Sequence, residues 1–512
     1  MEHVLELLVV LSQVLLLIQS KTIGEYLAER NEVLEKEDQS YLGSDLALTL
    51  EEIQFNQVLM DAKFKELDEA FQLSHFPPSQ HFFLAKPQIE ASTVFQIIRQ
   101  MPKGGNLHTH DLSIVSLDWV IANITYQPNL LMCIKPTDEN LIFSWLPFPS
   151  NPPNCDWLNV AEERRKVDPV VFDRYLRSFL SLEVSDPYDT YPDINRVWQK
   201  FFKTWDTIHS LISSKPILRD YIWQAMTEML QDNVQLLEIR TFLDAQYCTN
   251  NVTCDPMSST DILDFFQEIS TEFSSANPDF CGLNIILSRS RINDDLEDFP
   301  SWLASIGDYQ KMYPDLIAGM DIMGQEDLGT YLVAYAEDIL AIKETYPNLE
   351  FFFHAGETNW QGQATDKNII DGILLGASRL GHGYAITRHP EAWQMALDQN
   401  VAIEICPLSN QVLTLVHDLR NHPASVLIQS NFTGLVIASD DVAMWGGRGL
   451  SFDFYETFMG LAGRDMDLRL LKKLSLNSIE YSALRGDRKR QCLMKFENKW
   501  EDFLSSYISP VD

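Results

Sequence analysis

Two histidines lie one residue apart in the segment MPKGGNLHTHD, residues 101–111, at the end of a short apolar run. Successive side chains of a β-strand point to opposite faces, so His108 and His110 would point the same way. Two imidazoles on one face can share a metal ion, although a His-x-His pair taken alone is more often an ordinary strand end. The interpretation therefore depends on which other residues lie near this pair.

Further candidate ligands end two other apolar runs. His354 follows three phenylalanines in FFFHAGE, and the pair Asp440-Asp441 ends GLVIASDD. Histidine nitrogens and a carboxylate oxygen, with one position left open, suit catalytic zinc. Zinc lowers the pKa of a bound water from 15.7 to about 7, so hydroxide exists at neutral pH. The pattern predicts a zinc site that activates water.

Three more polar groups fit hydrolytic deamination, which needs an acid for a ring nitrogen, a group that orients hydroxide, and an acceptor for a ring edge. Glu357 lies three residues after His354, His382 lies in Gly-His-Gly, where small neighbours leave space for substrate, and Asp441 follows Asp440. Each has a structural alternative: His382 as a core histidine, Glu357 as a helix cap or surface carboxylate. Their conjunction at several strand ends favours the catalytic interpretation.

The elements that must position these residues follow one theme from residue 105 onward. A short apolar run ends in polar residues and a helical segment follows it, which is typical of a parallel sheet with helical crossovers. Eight such runs predict an α/β fold, a (β/α)8 TIM barrel, whose polar strand ends form the catalytic face. The runs are 105–110, 234–240, 282–290, 316–324, 351–357, 379–385, 401–407 and 434–441.

Two other regions stand apart from the barrel, which we assign to residues 101–512. Residues 21–100 carry apolar residues at helical spacing with many charges between them. The gap after the first strand is too long for one crossover, and its Pro-rich middle predicts an inserted subdomain at roughly 123–185.

The N-terminus indicates an exported protein. The apolar run from Leu7 to Ile18 is too short to span a bilayer, and Ser20 offers a cleavage point, so residues 1–20 are interpreted as a signal peptide. Glu2 and Glu6 replace the usual positive residues, which leaves an amphipathic helix as the alternative. No other run is long enough to cross a membrane, and the net charge of −34 disfavours binding to nucleic acid and anionic membrane.

Sequons and cysteines agree with export. Asn123, Asn251 and Asn431 begin glycosylation sequons. Cys133 and Cys155 flank the Pro-rich stretch as a disulfide would, and Cys248 and Cys254 could close a small loop. Of the seven cysteines at least one must stay unpaired, and Cys406, in an apolar run, is interpreted as a buried free thiol.

Several other enzyme classes lack their signatures in this chain. The sequence contains no H-E-x-x-H motif, no H-x-E…P-C-x-x-C signature, no G-x-S-x-G elbow and no Walker A loop. Zincin proteases, base-editing zinc deaminases, α/β-hydrolases and P-loop enzymes are therefore disfavoured.

The motifs, taken in order, resemble one family. MPKGGNLHTHD, FFFHAGETNWQG, RLGHGYAI, EICPLSNQVL and SDDVAMWG are similar to the secreted adenosine deaminases, the adenosine deaminase-related growth factors, and the likeness covers nearly the whole mature chain. It implies a homodimer formed through the helical arm at 21–100, an insert that binds a cell-surface receptor or glycosaminoglycan, and a disulfide between Cys133 and Cys155.

The resemblance also implies a role for each site residue. Glu357 would protonate purine N1, His382 would orient the attacking hydroxide and Asp441 would hold N7. The remaining contacts would be Gly324 N–H to N3, Asp111 to the ribose 5′ hydroxyl, and Trp198 beside the ribose. One zinc ion per subunit would be held by His108, His110, His354 and Asp440.

The implied reaction converts adenosine, and 2′-deoxyadenosine as a second substrate, to inosine and ammonia. Thr109 and Val442 depart from the family's usual aliphatic residue and proline, and neither change removes a catalytic group. Two alternatives stay open: a growth factor in which receptor or glycan binding matters more than turnover, and a related AMP deaminase. Against the second stand the signal peptide and the lack of a basic phosphate pocket.

Overall fold

The computed structural model describes residues 21–135, 137–145, 155–243, 247–250 and 255–507. The predicted signal peptide, the Asn251 sequon, Cys254 and most of the Pro-rich stretch lie outside these residues. The strands are β1 Gly104–His110, β2 Leu130–Ile134, β3 Leu141–Trp145, β4 Leu158–Asn159, β5 Val234–Thr241, β6 Gly282–Ser290, β7 Ile317–Met323, β8 Glu350–Phe351, β9 His354–Ala355, β10 Arg379–His382, β11 Ala402–Ile405 and β12 Leu435–Ile437.

Helices alternate with these strands along most of the chain. They are α1 Ile23–Asp38, α2 Leu50–Leu73, α3 Phe82–Ala91, α4 Thr93–Gln100, α5 Leu117–Trp119, α6 Val160–Arg165, α7 Pro169–Leu180, α8 Pro187–Thr190, α9 Ile194–Leu211, α10 Lys215–Gln231, α11 Ser259–Ala276, α12 Phe299–Met312, α13 Ala336–Thr345, α14 Asn368–Leu374, α15 Pro390–Asp398, α16 Pro407–Val412, α17 Ala424–Gln429, α18 Ser451–Glu456, α19 Leu468–Glu480 and α20 Gly486–Tyr507.

The barrel strands form a closed parallel ring, as the sequence predicts. Five strands pair in the order β1-β5-β6-β7-β8, and four pair in the order β9-β10-β11-β12. Strands β8 and β9 are consecutive parts of one predicted run. A parallel bridge between Thr109 and Asp440 closes the ring, and the Thr109 hydroxyl donates to the Asp440 carbonyl at 2.7 Å. The side chain of Thr109 therefore secures barrel closure and points away from the histidines on either side of it.

The predicted N-terminal helices are present as α1 to α4. Thr49 and Glu52 form a reciprocal capping box at the start of α2, which satisfies two free backbone N–H groups. Helix α2 packs against the C-terminal helix α20, where the rings of Phe55 and Phe503 lie 4.8 Å apart, and Trp500 donates to the Glu52 carboxylate at 2.8 Å. Helices α2 and α20, from the N-terminal and C-terminal parts of the described chain, are thus held together.

The region after β1 contains a small antiparallel sheet with strand order β3-β2-β4, followed by α6 and α7. The predicted disulfide between Cys133 and Cys155 joins β2 to the segment before β4. A second disulfide, Cys281–Cys492, links the start of β6 to α20 and was not anticipated from the sequence. Cys406 is a buried free thiol, as expected. No helix in the described part of the chain has the length and apolar character needed to cross a membrane.

Candidate active site

The side chains expected to bind a metal converge at one end of the barrel. His108 and His110 lie at the end of β1, His354 begins β9, and Asp440 follows β12. His108 Nε2 lies 3.1 Å from His354 Nε2 and 3.5 Å from Asp440 Oδ1, and His110 Nε2 lies 3.0 Å from the same Asp440 oxygen. All four side chains are buried.

Two buried carboxylates fix the direction in which the imidazoles point. His108 Nδ1 lies 2.8 Å from Glu404 Oε2, and His354 Nδ1 lies 2.7 Å from Asp321 Oδ2. Because ionised carboxylates only accept hydrogen bonds, each Nδ1 donates and each Nε2 presents its lone pair to the shared space. Facing lone pairs beside an Asp440 oxygen that lacks a hydrogen-bond partner are a donor set suited to a cation such as zinc.

Proximity divides the candidate ligands into two overlapping groups. Ligand atoms of His108, His354, His382 and Asp440 all lie within 4.8 Å of one another, as do those of His110, Asp440 and Asp441. Asp440 belongs to both groups. Burial by itself would raise the pKa of Asp440, but the adjacent imidazoles of His108 and His110 hold that pKa well below its usual range. Asp440 is therefore an anion at the centre of the cluster.

His382 lies beside this cluster in a conformation with a positive φ of 60°, and Asp440 also has a positive φ, 52°. Such a conformation costs a non-glycine residue about 1–3 kcal/mol and is concentrated at functional sites. Asn410 lies between His382 Nδ1 and His422 Nε2, at 3.2 and 3.0 Å. Burial lowers the pKa of His382 well below its ordinary value, so the imidazole is neutral.

The expectation that glycines around His382 leave space for substrate is wrong. A Cβ added to Gly381 would lie 2.8 Å from His108 Cε1, and one added to Gly383 would lie 2.5 Å from Ile403. The missing side chains therefore make room for protein atoms. Gly381 allows the His108 ring to approach the backbone of β10.

Glu357 lies on the loop after β9 and is fixed through its backbone. Its N–H donates to Glu326 Oε1 at 2.8 Å, and Gly356 N–H donates to the other Glu326 oxygen at 3.1 Å. The Glu357 carboxyl lies 3.8 Å from His382 Nε2, and its Oε1 is buried without a hydrogen-bond partner. Burial, and then the charges of Asp440 and Glu326, raise the pKa of Glu357 well above its ordinary value. The raised pKa favours the protonated form of Glu357, which can donate a proton.

Asp441 accepts hydrogen bonds from the Ser113 hydroxyl and, at 3.4 Å, from the Trp205 indole. Burial and the adjacent Asp440 charge raise the pKa of Asp441 well above its usual range. Together with Glu357 and His382, Asp441 lines the same cavity. The predicted acid, the predicted orienting group and the predicted ring-edge acceptor thus share one space with the metal cluster.

Of the three predicted substrate contacts that remain, two line the cavity and one does not. Gly324, directly after β7, has a φ of 104° and lines the cavity, as does Trp198 on α9. Asp111 is buried directly after β1, and its Oδ2 accepts from the Thr241 hydroxyl at 2.5 Å. It is not among the described residues that line the cavity. Burial raises the pKa of Asp111 to about 6.

Sequence reasoning missed most of the cavity wall. Helix α9 contributes an aromatic stripe at helical spacing, and this spacing was the available signal. Such stripes usually belong to the core, and the sequence alone could not show that this one faces a cavity. The stripe consists of Trp198, Phe201, Phe202 and Trp205. Phe242, Met323 and Leu413 complete the apolar lining.

A buried charge network below the metal cluster was also missed. Arg240 donates to Asp321 at 2.6 Å and to Glu404 at 2.8 Å, and Arg379 donates to Glu404 at 2.5 Å and to Glu238 at 2.6 Å. All five side chains are buried. The network orients the two carboxylates that in turn orient His108 and His354.

Comparison with known proteins agrees with this geometry. The sequence model described as "Adenosine deaminase" matches residues 182–499, and the one described as "Adenosine/AMP deaminase N-terminal" matches residues 5–98. The chain is 40% identical over 478 residues to adenosine deaminase 2 of Pongo abelii, covering 93% of each chain. It is 39% identical over 484 residues to an adenosine deaminase of Lutzomyia longipalpis, covering 94% of each.

Solved structures of lower identity share the fold. A zinc-bound amidohydrolase from Burkhoderia ambifaria superimposes with a TM-score of 0.55 at 16% identity, over 81% of this chain and 94% of that one. The N6-methyl-AMP deaminase of Arabidopsis thaliana also gives 0.55 at 16% identity, over 80% and 99%.

Proposed function

Because the chain belongs to the adenosine deaminase family and is a hydrolase of that class, we propose that it is a secreted, zinc-dependent enzyme converting adenosine and 2′-deoxyadenosine to inosine and ammonia. The observation that carries this proposal is the convergence of three imidazoles and Asp440 with the buried Glu357, whose pKa is raised, at one cavity. None of the described residues lining the cavity is lysine or arginine, which favours an unphosphorylated nucleoside over AMP.

We assign zinc to the group His108, His110, His354 and Asp440, one ion per subunit. Zinc bound there would lower the pKa of water and so supply the nucleophile at neutral pH. The protein's own contribution is orientation. Glu404 and Asp321 hold two of the imidazoles, and the buried position of the cluster excludes bulk water.

Glu357, His382 and Asp441 would carry out the remaining steps of the reaction. Protonated Glu357 would give its proton to purine N1, which makes C6 more electrophilic, and would recover a proton from the attacking water. Neutral His382 would orient that water. The Asp441 carboxyl would hold N7 by donating a hydrogen bond rather than accepting one, because N7 carries only a lone pair and the raised pKa of Asp441 favours its protonated form. N6 then takes the second proton of the added water, the C6–N6 bond breaks, and ammonia leaves as the C6 carbonyl forms.

Binding contacts complete the assignment of the pocket. Gly324 N–H would meet N3, and Trp198 would lie beside the ribose. Asp111 would accept the ribose 5′ hydroxyl with Oδ1, which is buried and lacks a hydrogen-bond partner, after a rotation towards the cavity. These roles extend the family likeness and stay proposals of substrate recognition.

Export and association are proposed on separate grounds. Disulfides inside the described residues and exposed sequon asparagines at 123 and 431 support residence in an oxidising, glycosylating compartment. Helix α1 has no buried residue in the single chain, which supports an arm that pairs in a homodimer. The inserted sheet with α6 and α7 is assigned to binding of a receptor or glycosaminoglycan, and the exposed Val170 and Val171 on α7 favour this second, growth-factor function.

One assay tests the enzymatic proposal. Purified protein is incubated with adenosine, and inosine is measured with and without a chelator. We expect turnover that chelation abolishes and zinc restores, and a kcat at least about 100-fold lower for Glu357→Gln. Zinc-loaded wild-type protein that makes no inosine would contradict the function. A Glu357→Gln variant as active as the wild type would contradict the assignment of the acid.

A further inference from the structure

We propose that the inserted sheet sets the position of the aromatic wall of the substrate cavity, and that Asn140 and Thr207 are positioning residues for substrate binding. The inference rests on the proposed function. The insert then has a second role that is independent of any receptor. It holds helix α9 in position from outside the barrel.

Hydrogen bonds join the insert to the C-terminal half of helix α9. Asn140, directly before β3, donates to the Lys203 carbonyl at 2.9 Å. The Thr207 hydroxyl donates to the Leu141 carbonyl at 2.6 Å and lies 3.3 Å from Asn140 Oδ1. Both Asn140 and Thr207 are buried, so water does not replace these hydrogen bonds easily.

Two further hydrogen bonds extend the contact to the end of the helix. The Phe143 N–H donates to the Ser210 hydroxyl at 2.9 Å, and the Trp145 indole donates to the Leu211 carbonyl at 3.1 Å. The start of α9 is held from the barrel instead, where Gln325 donates to Asn195 at 2.8 Å. The helix is therefore fixed at one end by the barrel and over the rest by the insert.

The opposite face of α9 lines the substrate cavity. The Trp198 ring lies 4.9 Å from the Phe201 ring and 5.3 Å from the Phe202 ring, and Trp205 reaches the catalytic groups themselves. The Trp205 ring lies 5.6 Å from the His110 ring, and its indole N–H donates to Asp441. Lys203, whose carbonyl Asn140 holds, lies between Phe202 and Trp205 in the chain. A shift of α9 would therefore move the wall against which the nucleoside packs.

The expected consequence concerns KM more than kcat. A wall that contacts the nucleoside away from the reacting carbon stabilises the bound substrate and the transition state equally, and loss of such binding raises KM while kcat stays constant. One net hydrogen bond is worth about 0.5–1.5 kcal/mol, which corresponds to roughly two- to tenfold in affinity.

Two nearly isosteric variants test the brace. Asn140→Asp replaces the N–H that faces the Lys203 carbonyl with an acceptor, and Thr207→Val removes the hydroxyl. We expect KM for adenosine to rise roughly three- to tenfold in each, with kcat within about twofold of wild type. Thr207→Ser keeps the hydroxyl, so its KM should equal that of the wild type. Asn129→Gly is the matched control: Asn129 is exposed before β2 with a φ of 69°, which glycine adopts without strain, so its KM should not change.

All variants are assayed well below their melting temperatures, so that a merely structural loss lowers Tm without moving KM. If folded Asn140→Asp and Thr207→Val have an unchanged KM, or lose only kcat, the inference is overturned. Turnover by the wild-type protein would still uphold the proposed function in that case. If the wild-type protein itself made no inosine, the proposed function would fail, and this inference with it.

Discussion

At the scale of single residues, the site depends on carboxylates that do not face the cavity. Glu404 lies in the middle of β11, buried, between His108 and the guanidinium groups of Arg240 and Arg379. Burial by itself would raise the pKa of Glu404, but the two arginine charges and the His108 hydrogen bond hold it well below its usual range. Glu404 therefore stays anionic and keeps the proton of His108 on Nδ1, which leaves Nε2 free for a metal.

This arrangement predicts weaker zinc binding in Glu404→Gln. Loss of such an outer partner typically costs 10–100-fold in metal affinity, and we expect a change of that size when zinc retention is measured against a series of chelator concentrations. Glu456→Gln provides the matched control, because Glu456 is also buried, has no hydrogen-bond partner, and has a pKa raised well above its usual range by burial. Equal zinc retention by Glu404→Gln and wild type would show that His108 is oriented without it.

The candidate metal ligands were predictable, and the carboxylates behind them were not. His108, His354 and Asp440 lie at the ends of apolar runs, where the barrel places them together. Glu404 and Asp321 lie inside such runs, and a charged residue in an apolar run has no sequence signal that names its partner. Its partners come from strands far away in the chain, so only the closed ring reveals them.

At the scale of elements, the repeated strand signal was strong because barrel strands are buried on both faces and read as continuous apolar runs. Because this burial makes the whole run apolar, the pattern does not reveal the interruption between β8 and β9 inside it. The role of α9 could not be predicted, since an amphipathic helix looks the same whether its aromatic face meets a core or a cavity. The second disulfide was equally hidden, because its cysteines are 211 residues apart.

The start of helix α3 supplies a prediction about pH. His81 caps this helix by accepting from the Phe83 N–H at 3.3 Å, and its ring packs against Tyr188. Burial, and then the nearby His417, lower the pKa of His81 to about 4. Between pH 6.5 and 4 the unfolded chain binds a proton here that the folded chain does not, so the free energy of unfolding falls as the pH falls.

We expect this histidine to account for about 2 kcal/mol of the stability lost between pH 7 and pH 5. In His81→Asn, which retains a capping side chain, that part of the loss should disappear when denaturant unfolding is measured at both pH values. His75→Asn changes an exposed histidine nearby and serves as the control. An identical loss in wild type and His81→Asn would contradict the assignment.

At the scale of the whole molecule, the chain must hold a closed barrel, an insert and two terminal helical regions together. The ring itself is closed by Asp440, a proposed zinc ligand, so barrel closure and the metal site share one residue. The C-terminal helix α20 is held by Phe55 and Glu52 of α2 and by the Cys281–Cys492 disulfide. Detachment of α20 would therefore expose α2 as well and loosen both termini from the barrel.

The disulfides Cys281–Cys492 and Cys133–Cys155 should contribute unequally to stability. Cys281–Cys492 spans 211 residues and Cys133–Cys155 spans 22, and the chain-entropy dependence on loop length gives the longer loop about 2 kcal/mol more stabilisation. We expect Cys281→Ser/Cys492→Ser to lower Tm more than Cys133→Ser/Cys155→Ser. Hydrogen exchange should increase in α20 and α2 in the first variant, and in the inserted sheet in the second. Equal losses of Tm, or unchanged exchange in α2, would show that packing of Phe55 against Phe503 holds the terminal helices without the covalent link.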